Sequence, residues 1–250
     1  MEITCVVPEH NTLEETLKEL QRLTEQFQSL RRNEEHWITI DAHRDPLSFL
    51  PALTTLLSQQ KQREGYLIQI TAEHTQGVLI DPSENATNLL EQTLAPLEKI
   101  RPDIRTTILY IIGELIDNLH EHAQTPLGIA TSALGQERFS LTVADMGVSI
   151  PNAYRQSHIA VSDECEALRK ALNGISTKTV EERGTGLPSI QRAITQLFNG
   201  ELWLISASAA LRAHHDVIEC HALPFFWQGT IAHLQSPLPQ QSINLYDILR

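Results

Sequence analysis

The stretch GELIDNLHEHAQ, residues 113–124, decides the fold, because it lies in a run whose apolar residues recur at helical spacing. At 100° per residue, the apolar side chains of this run fall within one arc of about 160°. The residues in that arc are Ile108, Leu109, Ile111, Ile112, Leu115, Ile116, Leu119 and Ala123. The pattern predicts an amphipathic helix over residues 103–123 with a well-defined buried face.

Three polar side chains of this helix follow one another at four-residue spacing. Glu114 and Asn118 approach the edge of the apolar arc and His122 lies inside it, whereas Asp117 and Glu121 lie opposite, where we expect solvated carboxylates. One explanation is structural: Asn118 lies at the edge of the buried face, and His122 is buried with its own hydrogen bonds. Polar residues at helix edges are common. A binding site would also explain it, and further motifs are needed to choose.

A second motif is LTVADMGVSIP, residues 141–151. Leu141 and Val143 alternate as in a strand, and the strand ends at Asp145 in a turn that contains Gly147. A carboxylate at this place can accept a hydrogen bond from an exocyclic amine. An ordinary Asp-x-Gly turn has the same sequence.

A third motif is ERGTGLPSIQRAI, residues 182–194, in which Gly184 and Gly186 precede an amphipathic helix and Pro188 occupies its first turn. Unpaired N–H groups and the helix dipole make such a loop a candidate phosphate site. The GxxxxGK[ST] pattern is absent, and a GxGxxG pattern fails because Ser189 occupies its last position. A plain helix-start turn is the alternative.

In this order and spacing, ELIDNLHEHA, DMGVSIP and RGTGLPSI resemble the N, G1 and G2 boxes of the GHKL ATPases. That group holds type II topoisomerase ATPase regions, mismatch-repair ATPases, histidine kinases and anti-sigma-factor serine kinases. NGELWLIS (199–206) and QGTIAHLQSPLP (228–239) also resemble segments of the kinase branch. The resemblance covers residues 84–238 and is closest to the anti-sigma-factor serine kinase and histidine kinase branch.

The resemblance implies an α+β fold, a two-layer Bergerat-type sandwich whose mixed sheet carries helices on one face. It implies ATP and Mg²⁺ as cofactors, with Glu114 as the general base and Asn118 as the metal ligand. Asp145 would bind the adenine amine, and residues 152–186 would form a mobile lid. The residues implied to bind the nucleotide are Asn118, His122, Asp145, Gly147, Ile150, Lys178, Arg183, Gly184, Thr185, Gly186, Leu187 and Thr230.

One position departs from the G1 pattern, because Ser149 stands where a second glycine is usual. We therefore expect a less permissive turn and a narrower pocket. Two functions remain open. The first is an ATPase or protein kinase in partner-switching signalling. The second is a non-catalytic nucleotide-sensing module that changes its affinity for a partner.

The residues before the predicted ATPase region alternate between strand and helix patterns. ITCVV, HWITI and GYLIQI are strand-like, and the two segments between them repeat leucine at helical spacing. The sequence predicts a small α/β domain over residues 1–83, faintly similar to anti-sigma-antagonist (STAS-like) domains. The ATPase domain would occupy 84–238, with a boundary near 80–87 and a tail at 239–250.

Composition narrows the function classes. The formal net charge is −12 without a basic cluster, which argues against nucleic acid as a partner. No run of 18 apolar residues occurs, so membrane spanning has no signal and a cytoplasmic location is expected. Cys5, Cys165 and Cys220 are widely spaced, and we expect reduced thiols. The expected partners are a regulatory protein and, as an alternative, a second copy of the chain in a homodimer.

Overall fold

The computed structural model describes residues 1–7, 12–41, 48–72, 78–80, 91–125, 127–135, 137–177 and 186–248. The N-terminal residues form β1 (Glu2–Val6), α1 (Leu13–Gln28), β2 (Glu35–Asp41), α2 (Leu50–Arg63) and β3 (Leu67–Ala72). The three strands make a parallel sheet in the order β1-β2-β3. The predicted small α/β unit is therefore present, with every predicted element in place.

The second unit is built on a five-stranded sheet of order β4-β5-β6-β8-β7. Its strands are β4 (Val78–Ile80), β5 (Gly128–Leu134), β6 (Arg138–Asp145), β7 (Glu201–His214) and β8 (Val217–Pro237). The α/β sandwich predicted from the resemblance is confirmed. One detail differs, because every pairing among these strands is antiparallel rather than mixed.

The helices of the second unit are α3 (Pro102–His122), α4 (Ile150–Gln156), α5 (Glu164–Leu172) and α6 (Gly186–Arg192). A π-helical turn, Ala193–Leu197, continues α6, and short 3₁₀ turns occur at Ala95–Leu97 and Leu245–Asp247. Helix α3 matches its predicted range and buries seven of the eight residues of the apolar arc. Leu109 is the exception, because it is 44% exposed.

Both faces of the five-stranded sheet are covered. Helices α3, α5 and α6 share one hydrophobic core with inward residues of the sheet. Helices α1 and α2 share a second core with the opposite face, where Phe49 lies edge-on to Trp203. The N-terminal unit therefore supplies the second cover of the ATPase-like sheet, which explains why strand β6 is buried along nearly its whole length.

Two predictions about the segment between β6 and α6 are wrong. Between the predicted strand at 138–145 and the predicted helix at 187–198 the sequence patterns predict a long irregular stretch, but this stretch contains α4 and α5. Asp163 caps α5 by accepting a hydrogen bond from the Glu166 N–H at 2.7 Å. The thiols were expected to be reduced, but Cys165 on α5 forms a disulfide with Cys220 on β8. Packing of α5 across the long β7–β8 hairpin brings the two Cα atoms to 5.8 Å, which sequence spacing does not reveal.

Two segments flank the second unit: the predicted boundary near residues 80–87 and the C-terminal tail. The predicted boundary region falls largely at residues 81–87, outside the described residues, although β4 before it already pairs with β5. The C-terminal tail docks on its own core, where Ile248 is buried. The Asp103 carboxylate in the first turn of α3 accepts hydrogen bonds from Ile243 N (3.0 Å) and Ser242 Oγ (3.2 Å).

Candidate functional site

A cavity of about 340 Å³ lies between α3, the segment from α4 to α5, and the start of α6. This is a volume typical of small-molecule sites. Strands β6, β7 and β8 form its floor. Its lining includes eight of the predicted site residues: Glu114, Asn118, His122, Asp145, Ile150, Gly186, Leu187 and Thr230.

Helix α3 presents its polar line to this cavity, as its four-residue spacing predicts. Glu114 and Asn118 face the first residue of α6, because a Cβ added to Gly186 would lie 3.0 Å from Glu114 Oε2 and 3.4 Å from Asn118 Nδ2. The buried Asn118 Nδ2 has no hydrogen-bond partner among the described residues. A glycine at 186 thus leaves space beside a carboxylate and an amide that is short of a partner.

The Glu114 carboxyl group has a raised pKa. Burial disfavours its charged form, and the nearby charge of Asp117 adds to the effect. A carboxylate with a raised pKa is a stronger base near neutral pH. The environment of Glu114 therefore suits proton abstraction better than a solvated surface glutamate would.

Asp145, at the end of β6, also lines the cavity and is buried. Its Oδ1 accepts a hydrogen bond from Gly147 N at 2.8 Å, and Trp227 Nε1 donates to its main-chain carbonyl at 3.1 Å. Burial raises the pKa of Asp145 to about 7, although hydrogen bonds from the Gly147 and Thr230 N–H groups oppose the shift. The carboxyl group is thus fixed in orientation and titrates near neutral pH.

Two glycines allow the backbone to close around Asp145. A Cβ on Gly147 would lie 1.9 Å from Ala123 O, and one on Gly229 would lie 2.2 Å from Asp145 O. Gly147 itself does not line the cavity and instead packs against the end of α3. The resemblance implies that Gly147 binds the nucleotide. In the structure, the space beside its Cα is instead taken by backbone atoms of Ala123.

The departure at Ser149 does not narrow the cavity. Ser149 has φ −67° and ψ 153°, which any residue can adopt, and it is the N-cap of α4. Its side chain is absent from the cavity lining. The start of α4 is fixed by Ser206, whose Oγ accepts from Ile150 N at 3.0 Å and donates to Gly229 O at 2.7 Å.

Comparison with protein families gives a match over residues 103–239 to the histidine kinase-, DNA gyrase B- and HSP90-like ATPases. The match spans more than half of the chain. The chain belongs to this ATPase family. A search of curated proteins found no significant match.

Family membership assigns ATP binding to the chain, and every residue that lines the cavity described above lies within the matched range. The residues present also fit Mg²⁺. This ion prefers oxygen ligands, keeps several waters and needs few protein groups when phosphates are present. In the described part of the chain no group of three or more His, Cys, Asp or Glu side chains is arranged for a metal. The amide oxygen of Asn118, which lines the cavity, is an oxygen ligand of the kind that Mg²⁺ prefers.

Several residues that line the cavity were not predicted as part of the site. Val143, Ala232 and Leu204 are neighbours across three adjacent strands and form the apolar floor. Strand alternation marks them as inward-facing, but the pairing register that brings them together cannot be read from the sequence. Asp117 and Glu121 were expected to face solvent away from the site; both are exposed and also line the cavity.

The segment after α5, which belongs to the predicted lid, forms another wall of the cavity. The Tyr154 hydroxyl on α4 donates to Ile175 O, and Thr177 Oγ1 lies 3.2 Å from His122 Nδ1. The lining here includes Gly174, Ile175, Ser176 and Thr177. His122, implied by the resemblance to bind the nucleotide, thus lines the cavity beside Thr177.

The remaining predicted residues, Lys178, Arg183, Gly184 and Thr185, lie outside the described residues. Among the described helices, none is both long and apolar enough to span a bilayer.

Proposed function

We propose that this chain binds Mg-ATP in the cavity and uses it for phosphoryl transfer, as an ATPase or protein kinase closest to the anti-sigma-factor serine kinase and histidine kinase branch. One observation carries the proposal. Glu114 and Asn118, one helical turn apart, both face Gly186 in a cavity that also holds the buried Asp145.

Each residue has a chemical role in the proposal. The ionised Asp145 accepts a hydrogen bond from the adenine amine above the floor of Val143, Leu204 and Ala232. Asn118 ligates Mg²⁺, which when bound neutralises phosphate charge. Glu114 orients a water molecule or a partner's hydroxyl or imidazole and takes its proton, which its raised pKa favours.

The test is ATP turnover and ATP binding in Glu114→Gln. We expect turnover to fall at least 100-fold, because general bases contribute on this order, while the stabilisation of the protein by Mg-ATP is retained. Glu98→Gln, an exposed carboxylate outside the cavity, is the control and should keep full turnover. Equal turnover in Glu114→Gln and wild type would remove Glu114 from its role.

Binding is tested separately by thermal unfolding with and without Mg-ATP. A ligand at 100 times its Kd stabilises a protein by about 2.7 kcal/mol. We expect this stabilisation in the wild type and a much smaller one in Asn118→Ala. The same shift in both proteins would argue against Asn118 as the metal ligand.

The proposal extends to partner-switching signalling in the cytoplasm, with a regulatory protein partner and, in one form of it, a homodimer. The N-terminal parallel sheet supports a docking role, because parallel sheets are normally covered on both faces. On the face of this sheet that points away from α1 and α2, Trp37 is 52% exposed and Leu67 is 57% exposed. The docking role is supported if the wild type captures a partner in a way that depends on ATP or ADP and Trp37→Ser loses this capture. Capture that changes neither with nucleotide nor in Trp37→Ser would contradict it.

A second function is a nucleotide-sensing module without catalysis. The Cys165–Cys220 disulfide favours it, because it ties the segment expected to act as a mobile lid to the β7–β8 hairpin. This function predicts ATP-dependent stabilisation with a turnover that is the same in wild type and Glu114→Gln.

A further inference from the structure

The far end of the β7–β8 hairpin forms an open sheet edge. Residues 217–222 of β8 pair on one side with residues 209–214 of β7. On the other side no strand of the described residues pairs with them, because β6 meets β8 at residues 231–237. Val217 is 45% exposed and Ile218 is 42% exposed. A sheet edge with exposed apolar side chains is a template for pairing with another strand.

The turn of the hairpin determines which main-chain groups this edge presents. A two-residue turn at 215–216 joins the strands, and His214 pairs with Val217 across it. In such a hairpin the pair that flanks the turn exchanges both hydrogen bonds, and hydrogen-bonded pairs then alternate with pairs that are not hydrogen-bonded. The residues whose N–H and C=O groups point to the open edge are therefore Ile218, Cys220 and Ala222.

A second copy of the same segment can pair with these groups. In an antiparallel arrangement about a two-fold axis at Cys220, each Cys220 lies opposite its copy. Each Ile218 then lies opposite Ala222 of the second copy, so all three outward residues donate and accept main-chain hydrogen bonds. Pro224, which has no N–H, follows two residues later and limits the pairing to this segment.

Charge selects this register over its neighbours. With the axis at Cys220, each Glu219 lies opposite His221 of the second copy, at a position where cross-strand side chains lie closest. A histidine ring can donate to a carboxylate whether it is neutral or protonated. An axis at Glu219 would place two glutamates opposite each other, which is unfavourable. An axis at His221 would place Pro224, which cannot donate, opposite Ile218.

The Glu219 carboxylate is available for this contact. Glu219 and His221 are both exposed. Within its own chain, Glu219 Oε2 lies 3.9 Å from His214 Nε2, which is beyond hydrogen-bond distance. Arg212, which is opposite Glu219 on β7, is instead bonded to Glu201 at 2.7 Å. A histidine from a second copy would therefore supply a donor that the hairpin itself does not.

We propose that two copies of this chain pair through residues 217–222 of β8, which joins their β7–β8 hairpins into one continuous antiparallel sheet. None of these residues lines the cavity, so the inference goes beyond the proposed function and does not rest on phosphoryl transfer. It gives a surface to the homodimer named there. Cys220, at the centre of the interface, is also bonded to α5, which contributes Ala171 to the cavity wall.

Sedimentation velocity of the full chain without nucleotide tests the dimer. We expect the wild type to dimerise as its concentration rises. Glu219→Lys and His221→Glu should each raise the dimer dissociation constant about tenfold, because each change disturbs two cross-strand pairs. The double variant again places opposite charges across the axis and should return to within about threefold of the wild type. Glu98→Lys is the control, because it makes the same charge change at an exposed carboxylate outside the hairpin.

Amide hydrogen exchange locates the interface within the chain. In the wild type, the N–H groups of Ile218, Cys220 and Ala222 should exchange more slowly at high protein concentration than at low concentration. The N–H groups of Glu219 and His221 face β7 and should not respond to concentration. Ala222→Pro removes one outward donor and should also weaken the dimer about tenfold. If this variant fails to fold, the charge variants still decide the outcome.

Two results would overturn the proposal. One is a chain that stays monomeric at every concentration, which would leave the edge to a strand of another protein. The other is a dimer in which the outward N–H groups gain no protection and the charge variants have no effect, because such a dimer would use another surface. No measurement here requires ATP, so a wild type without turnover would refute the proposed function alone.

Discussion

Asp145 has a structural role in the cavity wall, and the proposed function gives the same side chain a binding role. Its carboxyl group is held by backbone N–H groups, and burial raises its pKa to about 7. Only the ionised form can accept at both oxygens, so recognition of an adenine amine should depend on pH in the neutral range.

The prediction concerns adenosine, which has no phosphate group to titrate. We expect adenosine to bind about tenfold more weakly at pH 6 than at pH 8, since the ionised fraction of Asp145 falls about tenfold over this interval. Calorimetric titration at the two pH values measures it. Asp145→Asn should bind adenosine weakly and with the same affinity at both pH values. If the affinity of the wild type for adenosine did not change with pH, the proposed contact between Asp145 and the adenine amine would be contradicted.

Gly147 and Gly113 form a matched pair for testing close packing. A Cβ at Gly147 would lie 1.9 Å from Ala123 O, whereas one at Gly113 meets nothing within 4 Å. Gly147→Ala should therefore lower the free energy of unfolding by about 1–3 kcal/mol or more. Gly113→Ala, inside α3, should raise it by about 1 kcal/mol, because alanine is the better helix former. Urea unfolding of both variants measures the contrast, and equal effects would argue against the packing at Gly147.

For single residues, the sequence predicted those relations that depend only on spacing along one helix. Glu114 and Asn118 could be placed on one helix side because four residues make about one turn. The floor residues Val143, Ala232 and Leu204 could not be assembled, because their contacts depend on strand register across the sheet. The hydroxyl groups of Tyr110 and Ser189 hydrogen-bond although the two residues are 79 positions apart, and only the packing of α6 on α3 joins them.

At the scale of elements, the structure changes the description of the lid segment. Helix α5 is held to the sheet by two ties, the Cys165–Cys220 disulfide and a 2.6 Å hydrogen bond from Ser208 N to Glu164 Oε2. The second tie satisfies an N–H group where the β7–β8 pairing is irregular. Sequence patterns missed α4 and α5 because both are short and rich in polar residues.

Reduction of the disulfide should therefore destabilise the ATPase unit. Closing a loop of this kind typically contributes about 2–4 kcal/mol, and the two cysteines are 55 residues apart. We expect the free energy of unfolding in urea to fall by that amount in dithiothreitol. Cys220→Ser should show the loss without reductant and no further response to it. Cys5→Ala, outside the disulfide, should respond to reductant like the wild type, and a wild type indifferent to reductant would contradict the prediction.

At the scale of the whole molecule, the two units share a core, and a buried histidine lies within it. His233 on β8 is fully enclosed, with its ring 4.5 Å from that of Phe49 and 5.3 Å from that of Trp203. Its Nδ1 lies 2.9 Å from Thr142 Oγ1. Burial lowers the pKa of His233 to about 3. Its neutral form is thus required where the N-terminal unit meets the second face of the ATPase sheet, a junction that no local sequence pattern revealed.

His233 and Asp145 should give opposite pH dependences of stability. The unfolded chain protonates His233 below pH 6.5 and the folded chain does not until about pH 3, so this residue makes stability fall as pH falls through that window. Asp145 is protonated in the folded chain below about pH 7 and in the unfolded chain only below 3.8, so it makes stability rise as pH falls. Each group contributes about 1.4 kcal/mol per pH unit.

Between pH 4 and 6.5 the two contributions should largely cancel, which predicts that His233→Gln and Asp145→Asn tilt the stability profile in opposite directions. In His233→Gln, stability should rise by about 1.4 kcal/mol per unit on acidification relative to wild type, because only Asp145 remains. In Asp145→Asn it should fall by the same amount. Urea unfolding at half-unit pH steps measures both slopes. If stability changed with pH in the same way in both variants, His233 and Asp145 would not have the pKa shifts that burial causes.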